Sequence, residues 1–155
     1  MHGLEGVTLR YSNVYGPRQD PHGEAGVVAL FSRRLLEGRD LRIFGDGEQT
    51  RDYVYVGDVA AANLLVSSSP LPEPASIDDV AYNVATGTET SVIELADTII
   101  AASGRNAAKE FAPSRPGELQ RSCLDTSKLR AAGWTPRVDL AEGLRRTYEH
   151  IADHL

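Results

Sequence analysis

Residues 43 to 60 read Ile43-Phe44-Gly45-Asp46-Gly47-Glu48-Gln49-Thr50-Arg51-Asp52-Tyr53-Val54-Tyr55-Val56-Gly57-Asp58-Val59-Ala60. Leu41 to Phe44 alternates as a short strand does, and Gly45-Asp46-Gly47 turns the chain. Asp52 to Val56, rich in β-branched and aromatic side chains, reads as a second strand. Asp58 then stands where a carboxylate caps a helix through Ala60, Ala61, Ala62 and Leu65. Strand, turn, strand and helix within twenty-odd residues set an alternating pattern that the rest of the chain follows.

Upstream, Val27 to Glu37 carries apolar side chains at helical spacing (Val27, Leu30, Phe31, Leu35) and meets Gly38 as a stop. Residues 18–26 are polar and glycine-rich, a loop. Val7 to Tyr11 reads as a strand, stopped at Asn13-Val14-Tyr15-Gly16-Pro17. Downstream, residues 67–79 hold serines and prolines and read as a surface connection, followed by a short strand at Ala81 to Ala85. Thr90 or Ser91 caps a helix over Val92 to Ala102, with Glu94 completing a capping box from Ser91 and Gly104 ending it. Residues 114–117 form a proline-stiffened loop. Thr126 caps a short helix that closes at Gly133, and Leu140 to Ile151 is the last helix. Strands alternating with helices give an α/β class, with residues 1–155 as one domain.

The composition narrows the function. Of 155 residues, 41% are hydrophobic and 25% charged, ordinary globular values, and the net charge of −6 argues against a nucleic-acid partner held by bulk positive charge. The one cysteine, Cys123, has no disulfide partner within the chain and reads as a small semi-buried residue. His2, His22, His150 and His154 lack metal-ligand spacing, so no metal site is expected. No apolar run reaches the roughly 18 residues of a membrane span, and no leader is evident; a cytoplasmic location without membrane partners is the expectation. Neither a glycine-rich dinucleotide turn nor a Tyr-x-x-x-Lys proton-transfer pair occurs in the 155 residues, so no catalytic residue is nominated.

What remains are loops suited to an anionic ligand. Arg51 carries a two-pronged donor for phosphate oxygens, or pairs with its neighbour Asp52. Arg115 sits between Pro113 and Pro116, which stiffen its loop. Asn13 offers an amide to a ligand, or caps its own turn. Phe44 offers a ring face, or fills the core. Val27 opens a helix whose first backbone N–H groups lack partners. Glu118 accepts hydrogen bonds, or is a solvated carboxylate.

Three stretches in order carry a resemblance: Leu-Arg-Tyr-Ser-Asn-Val-Tyr-Gly-Pro-Arg-Gln (9–19), the stretch 43–60, and Arg-Pro-Gly-Glu (115–118) followed by Asp-Thr-Ser-Lys (125–128). Together they resemble the extended short-chain dehydrogenase/reductases, in particular the UDP-glucose 4-epimerase group of NAD-dependent epimerases and dehydratases, from about Gly6 to Ile151. The resemblance implies the C-terminal substrate-binding lobe plus the last strands of a Rossmann sheet. The half that binds NAD and bears the proton-transfer pair is expected to lie outside this chain. It implies a UDP-sugar partner, with Arg51 and Arg115 on the diphosphate, Glu118 on the ribose hydroxyls, Asn13 on the sugar-phosphate, Phe44 against the uracil, the backbone N–H groups at Val27 pointing at the ligand, and Ser12 near the nicotinamide. Ser122 stands where some members carry a bulky tyrosine, implying room for an N-acetyl group. Two positions depart from the family's habit: Glu118 is often Asp, and Val27-Val28-Ala29-Leu30-Phe31 is often Val-Ile-Pro-x-Phe. The chain alone is expected to be inactive, with strands 7–11 and 81–85 presenting unpaired backbone and apolar faces that invite self-association. A 4,6-dehydratase or decarboxylase fragment, or a non-catalytic nucleotide-sugar-binding module, fits the same motifs.

Overall fold

The computed structural model describes residues 6–20, 26–70, 74 and 76–154. Near its start, two strands, β1 (Thr8–Tyr11) and β2 (Asn13–Tyr15), are separated by Ser12 alone and pair with different partners. β1 runs parallel to β6 (Ala81–Val84), in register from Thr8↔Ala81 to Tyr11↔Val84. β2 runs parallel to β5 (Tyr53–Tyr55). One expectation is thereby corrected: the stretch at Asn13 to Tyr15 continues as strand up to Gly16-Pro17, because β5 supplies its ladder. The strands at 7–11 and 81–85 pair with each other in a two-stranded sheet, which among the described residues leaves the outer edge of each open.

The expected strand at Leu41–Phe44 is β3, with Leu41 and Ile43 fully buried and Arg42 outward. Its parallel partner is β8 (Lys109–Ala112). The strand expected over Asp52 to Val56 is divided: β4 (Thr50–Arg51) and β5 flank Asp52, which is itself outside either ladder. β4 pairs antiparallel with β7 (Thr90–Ser91) and parallel with β9 (Arg121–Ser122). The turn between β3 and β4 needs Gly47. Its φ is 78°, and a Cβ there would lie 2.6 Å from Ile93 Cγ1.

Among the described residues five α-helices cover these ladders: α1 (Val27–Leu36), α2 (Val56–Ser68), α3 (Val92–Ser103), α4 (Ser127–Ala131) and α5 (Leu140–His154). The capping box is formed as expected: Glu94 N donates to Ser91 Oγ at 3.1 Å and Ser91 N donates to Glu94 Oε2 at 2.7 Å. Gly104, at φ 64°, ends α3. α2 begins at Val56, two residues before the expected cap. Asp58 instead lies in the first turn, 4% exposed, where its carboxylate accepts from Val138 N at 3.1 Å. His150 and His154 belong to α5 and stack on each other, centroids 4.1 Å apart. Residues 71–73 and 75 of the expected surface connection, and His2 and His22, lie outside the described residues.

The apolar core has two parts. One gathers Val28, Phe31 and Leu35 of α1, Leu95 and Ile99 of α3, and Leu144 and Tyr148 of α5 over Leu41, Ile43 and Tyr53. The other holds Val54, Val59, Ala62, Val84, Leu129 and Trp134, between α2 and α4. The break at Asp52 lies where these parts meet. Its carboxylate, fully buried, accepts from Thr86 N (2.9 Å), Thr86 Oγ1 (2.7 Å) and Gly87 N (2.8 Å), while its carbonyl accepts from Asn13 N at 2.9 Å.

Candidate functional site

Alternation along β3 and β4 decides what faces the opening between α1, the β3–β4 region and the loop 113–118. With Leu41 and Ile43 turned into the core, Arg42 and Phe44 turn outward. With Asp52 turned inward, Arg51 turns to the same opening. The result is a cleft of about 410 Å³ lined by Asn13, Val27, Leu30, Phe31, Arg34, Arg42, Phe44, Gln49, Arg51, Tyr53, Val92, Arg115 and Glu118.

Arg51 is held in place. Its Nη1 donates to Thr50 O at 2.8 Å and to Leu119 O at 2.7 Å, and its Nη2 lies 3.7 Å from Glu118 Oε1. Its carboxylate partner is therefore Glu118 across the cleft, and Asp52 serves the backbone behind it. The Arg115 guanidinium carbon lies 3.8 Å from the centroid of the Phe44 ring, a cation–π stack. Phe44 O accepts from the side chain of Gln49 at 3.0 Å, which is 6% exposed and fixes the turn from behind. Burial pushes the Tyr53 hydroxyl up to about 12, with Arg51 pulling the other way and Glu118 adding to the rise. Tyr53 is thus a neutral phenol across ordinary pH. Val27 opens α1 after Gly26, with no side-chain cap and no acidic residue in the first turn, so the positive end of that helix is left for a ligand. Four arginines against one glutamate make the lining cationic in a chain of net charge −6.

Six of the residues nominated from sequence, Asn13, Val27, Phe44, Arg51, Arg115 and Glu118, converge here. Ser122 and Ser12 do not line the cleft. Ser122 is the strand neighbour of Arg51 on β9. The Ser12 hydroxyl lies 3.5 Å from Asp52 Oδ1. Sequence reading missed Arg34, Arg42, Gln49 and Tyr53; parity with Phe44 along β3 is the signal that finds Arg42. Glu89 is held near 2 by hydrogen bonds from Arg121 and Thr50, which fasten β9 beside β4. Cys123 is exposed rather than semi-buried, yet its thiol is pushed up by desolvation and by the Asp52 carboxylate 3.5 Å away, which disfavours the thiolate.

Among the described residues no group of three or more His, Cys, Asp or Glu is arranged to hold a metal ion, and no helix is long and apolar enough to cross a membrane. The helices that leave strands directly open at Tyr55-Val56 and Ser91-Val92, and neither opening is the glycine-rich turn that seats a pyrophosphate.

Comparison with known proteins gives the family. The model of the NAD dependent epimerase/dehydratase family matches residues 1–85. UDP-glucose 4-epimerase of Mycolicibacterium smegmatis is 52% identical over 150 residues, 96% of this chain and 46% of that protein. dTDP-glucose 4,6-dehydratase of an Actinoplanes species is 34% identical over 148 residues, 94% of this chain and 43% of that protein. The crystal structure of UDP-glucose 4-epimerase with UDP-glucose from Thermotoga maritima superposes with a TM-score of 0.89 at 44% identity, covering 99% of this chain and 48% of that one. The chain thus spans about half the length of the relatives it matches, and its fold is the mixed α/β, Rossmann-like one of these enzymes. It belongs to the NAD dependent epimerase/dehydratase family.

Proposed function

We propose that the cleft binds a UDP-sugar, and that these 155 residues are the nucleotide-sugar-holding part of an enzyme of the UDP-glucose 4-epimerase type. The observation that carries the reading is convergence: six residues from Asn13 to Glu118, over a hundred positions apart in sequence, line one cationic cleft. In this reading Arg51 and Arg115 take the diphosphate. Glu118 accepts from the ribose hydroxyls, and Phe44 gives its ring to the base in exchange for Arg115. Asn13 and the backbone at Val27 meet the sugar-phosphate. Ser122, beside Arg51, borders the sugar and leaves room for an N-acetyl group, and Ser12 faces the nicotinamide side. Binding of NAD and proton transfer are assigned to a separate half of the enzyme. The same cleft suits a 4,6-dehydratase, a reading that the 34% identical relative favours.

Calorimetry with UDP tests the binding reading. Arg51→Ala and Arg115→Ala are each expected to lose about 1.5–3 kcal/mol, the range of one charge-assisted contact. Arg115→Ala is the cleaner of the two, since Arg51 also ties down Leu119 O. Binding equal to that of the unaltered chain would remove the arginine from the site. Activity is tested separately: the 155-residue chain supplied with NAD is expected to leave UDP-glucose unconverted. Addition of a separately made dinucleotide-binding half is expected to restore formation of UDP-galactose, and a 4-keto-6-deoxy product would favour the dehydratase. NAD-dependent turnover by the chain alone would overturn the assignment of the chemistry to the other half.

A further inference from the structure

We infer that a second cavity, adjoining the cleft at Tyr53, binds a small organic phosphate. The inference is independent of the UDP-sugar reading. The cavity measures about 380 Å³, and among the described residues its lining shares Tyr53 alone with the cleft. Three parts of the chain build it. They are the turn from β6 into β7, with Thr86, Thr88 and Thr90; Arg130 on α4; and residues 136–140, which lead into α5.

Charge points to an anion. Arg130 is held in place, its Nε donating to Thr126 Oγ1 at 2.9 Å and its Nη2 to Thr86 O at 2.8 Å. Both acceptors are neutral, so the positive charge is uncompensated and Nη1 is unspent. Arg137 is exposed and takes no hydrogen bond or ion pair among the described residues. The carboxylate in the lining, Asp139, is turned to α5, where its Oδ1 accepts from Glu142 N at 2.9 Å, and it pairs with neither arginine. Two arginines without a carboxylate stand apart in a chain of net charge −6, in which Arg10, Arg33, Arg39, Arg121, Arg145 and Arg146 each hold one. The Thr86 hydroxyl is spent on Asp52 at 2.7 Å, whereas Thr88 and Thr90 add hydroxyls that no neighbour takes.

The donor set selects the ligand. A phosphate monoester brings close to two negative charges and three acceptor oxygens, which matches two guanidiniums and two hydroxyls; a carboxylate brings one charge and two oxygens. Pro136, Val138 and Leu140 give the cavity an apolar wall for the organic part, and the volume lies within the range of small-molecule sites.

The test is titration of phenyl phosphate into the isotope-labelled 155-residue chain, followed by backbone amide and arginine Nε resonances. Saturable shifts are expected at Thr88, Thr90, Arg130, Arg137 and Val138. In Arg137→Gln the dissociation constant read at the Thr88 and Thr90 amides is expected to rise about tenfold or more, the loss of one charge-assisted contact. In Arg115→Ala, which alters the cleft, it is expected to stay the same. Arg137 is exposed and unpartnered, so its substitution leaves the packing untouched. Phenol, which keeps the ring and lacks the phosphate, is expected to leave these resonances in place. Shifts confined to the cleft, an affinity that Arg137→Gln does not change, a loss in Arg115→Ala instead, or the same shifts with phenol would each overturn the inference. Failure of UDP to bind the cleft would leave it standing.

Discussion

Asp52→Ala is expected to destabilise the chain by about 3–5 kcal/mol, read as a lowered urea midpoint with an unchanged slope. The carboxylate is fully buried and collects two backbone N–H groups and the Thr86 hydroxyl at 2.7 to 2.9 Å, with the Ser12 hydroxyl and the Cys123 thiol each at 3.5 Å. Alanine removes the acceptor and leaves the part-buried donors of the 86–87 turn without it, and each unsatisfied group costs up to about 1–3 kcal/mol. Partial relaxation of the 86–87 turn keeps the total below the full sum. Asp52→Asn retains the shape but replaces one accepting oxygen with a donor, so an intermediate loss is expected. UDP binding is expected to weaken in parallel, because Asp52 adjoins Arg51 and holds the backbone that aims it. A stability change under about 1 kcal/mol for Asp52→Ala would contradict the role given to this carboxylate.

Gly143→Ala is expected to cost about 2–3 kcal/mol, against the usual preference of helices for alanine. An added Cβ would lie 2.1 Å from the Tyr15 hydroxyl oxygen, 2.8 Å from Cζ and 3.0 Å from Cε2. Tyr15 cannot swing clear. It is 3% exposed and makes edge contacts with Tyr53 and Tyr55, centroids 6.4 and 5.9 Å away. Overpacking of this kind costs up to about 3 kcal/mol or somewhat more, and the gain of about 1 kcal/mol in helix propensity offsets part of it. Tyr15→Phe in the Gly143→Ala background takes away the closest clash and is expected to recover about half of the loss. A thermal midpoint for Gly143→Ala at or above that of the unaltered chain would show that α5 and β2 do not meet so tightly.

What could be read from the sequence was mostly local. The capping box of Ser91 and Glu94 is three residues long, and the apolar face of α1 repeats within ten. The loops of Arg51 and Arg115 stood out by their residues, Asn13 and Phe44 through the family resemblance of their stretches, and the fold brings all four to one cleft. Long-range matters were hidden. β8 begins Lys109-Glu110 and exposes Phe111, so it lacks a strand's usual alternation, and it exists because β3 offers it a ladder. Asp52 looked like a partner for its neighbour Arg51, whereas its carboxylate serves Thr86 and Gly87, 34 and 35 residues on. Arg34 and Arg42 come to one cleft only because β3 and α1 are placed side by side. The division of β4 from β5 at Asp52 follows from the same inward turn, which no local pattern encodes.

The central claim is that one cationic cleft between α1, β3, β4 and the 113–118 loop receives the nucleotide sugar. Titration of UDP-glucose into the isotope-labelled chain, followed by the backbone amide and arginine Nε resonances in two-dimensional NMR, tests it most directly. The account predicts saturable shifts concentrated at Asn13, Val27, Phe44, Arg51, Arg115 and Glu118, with the β1–β6 ladder and α4 unmoved. Saturable shifts centred elsewhere, or none at millimolar ligand, would contradict it.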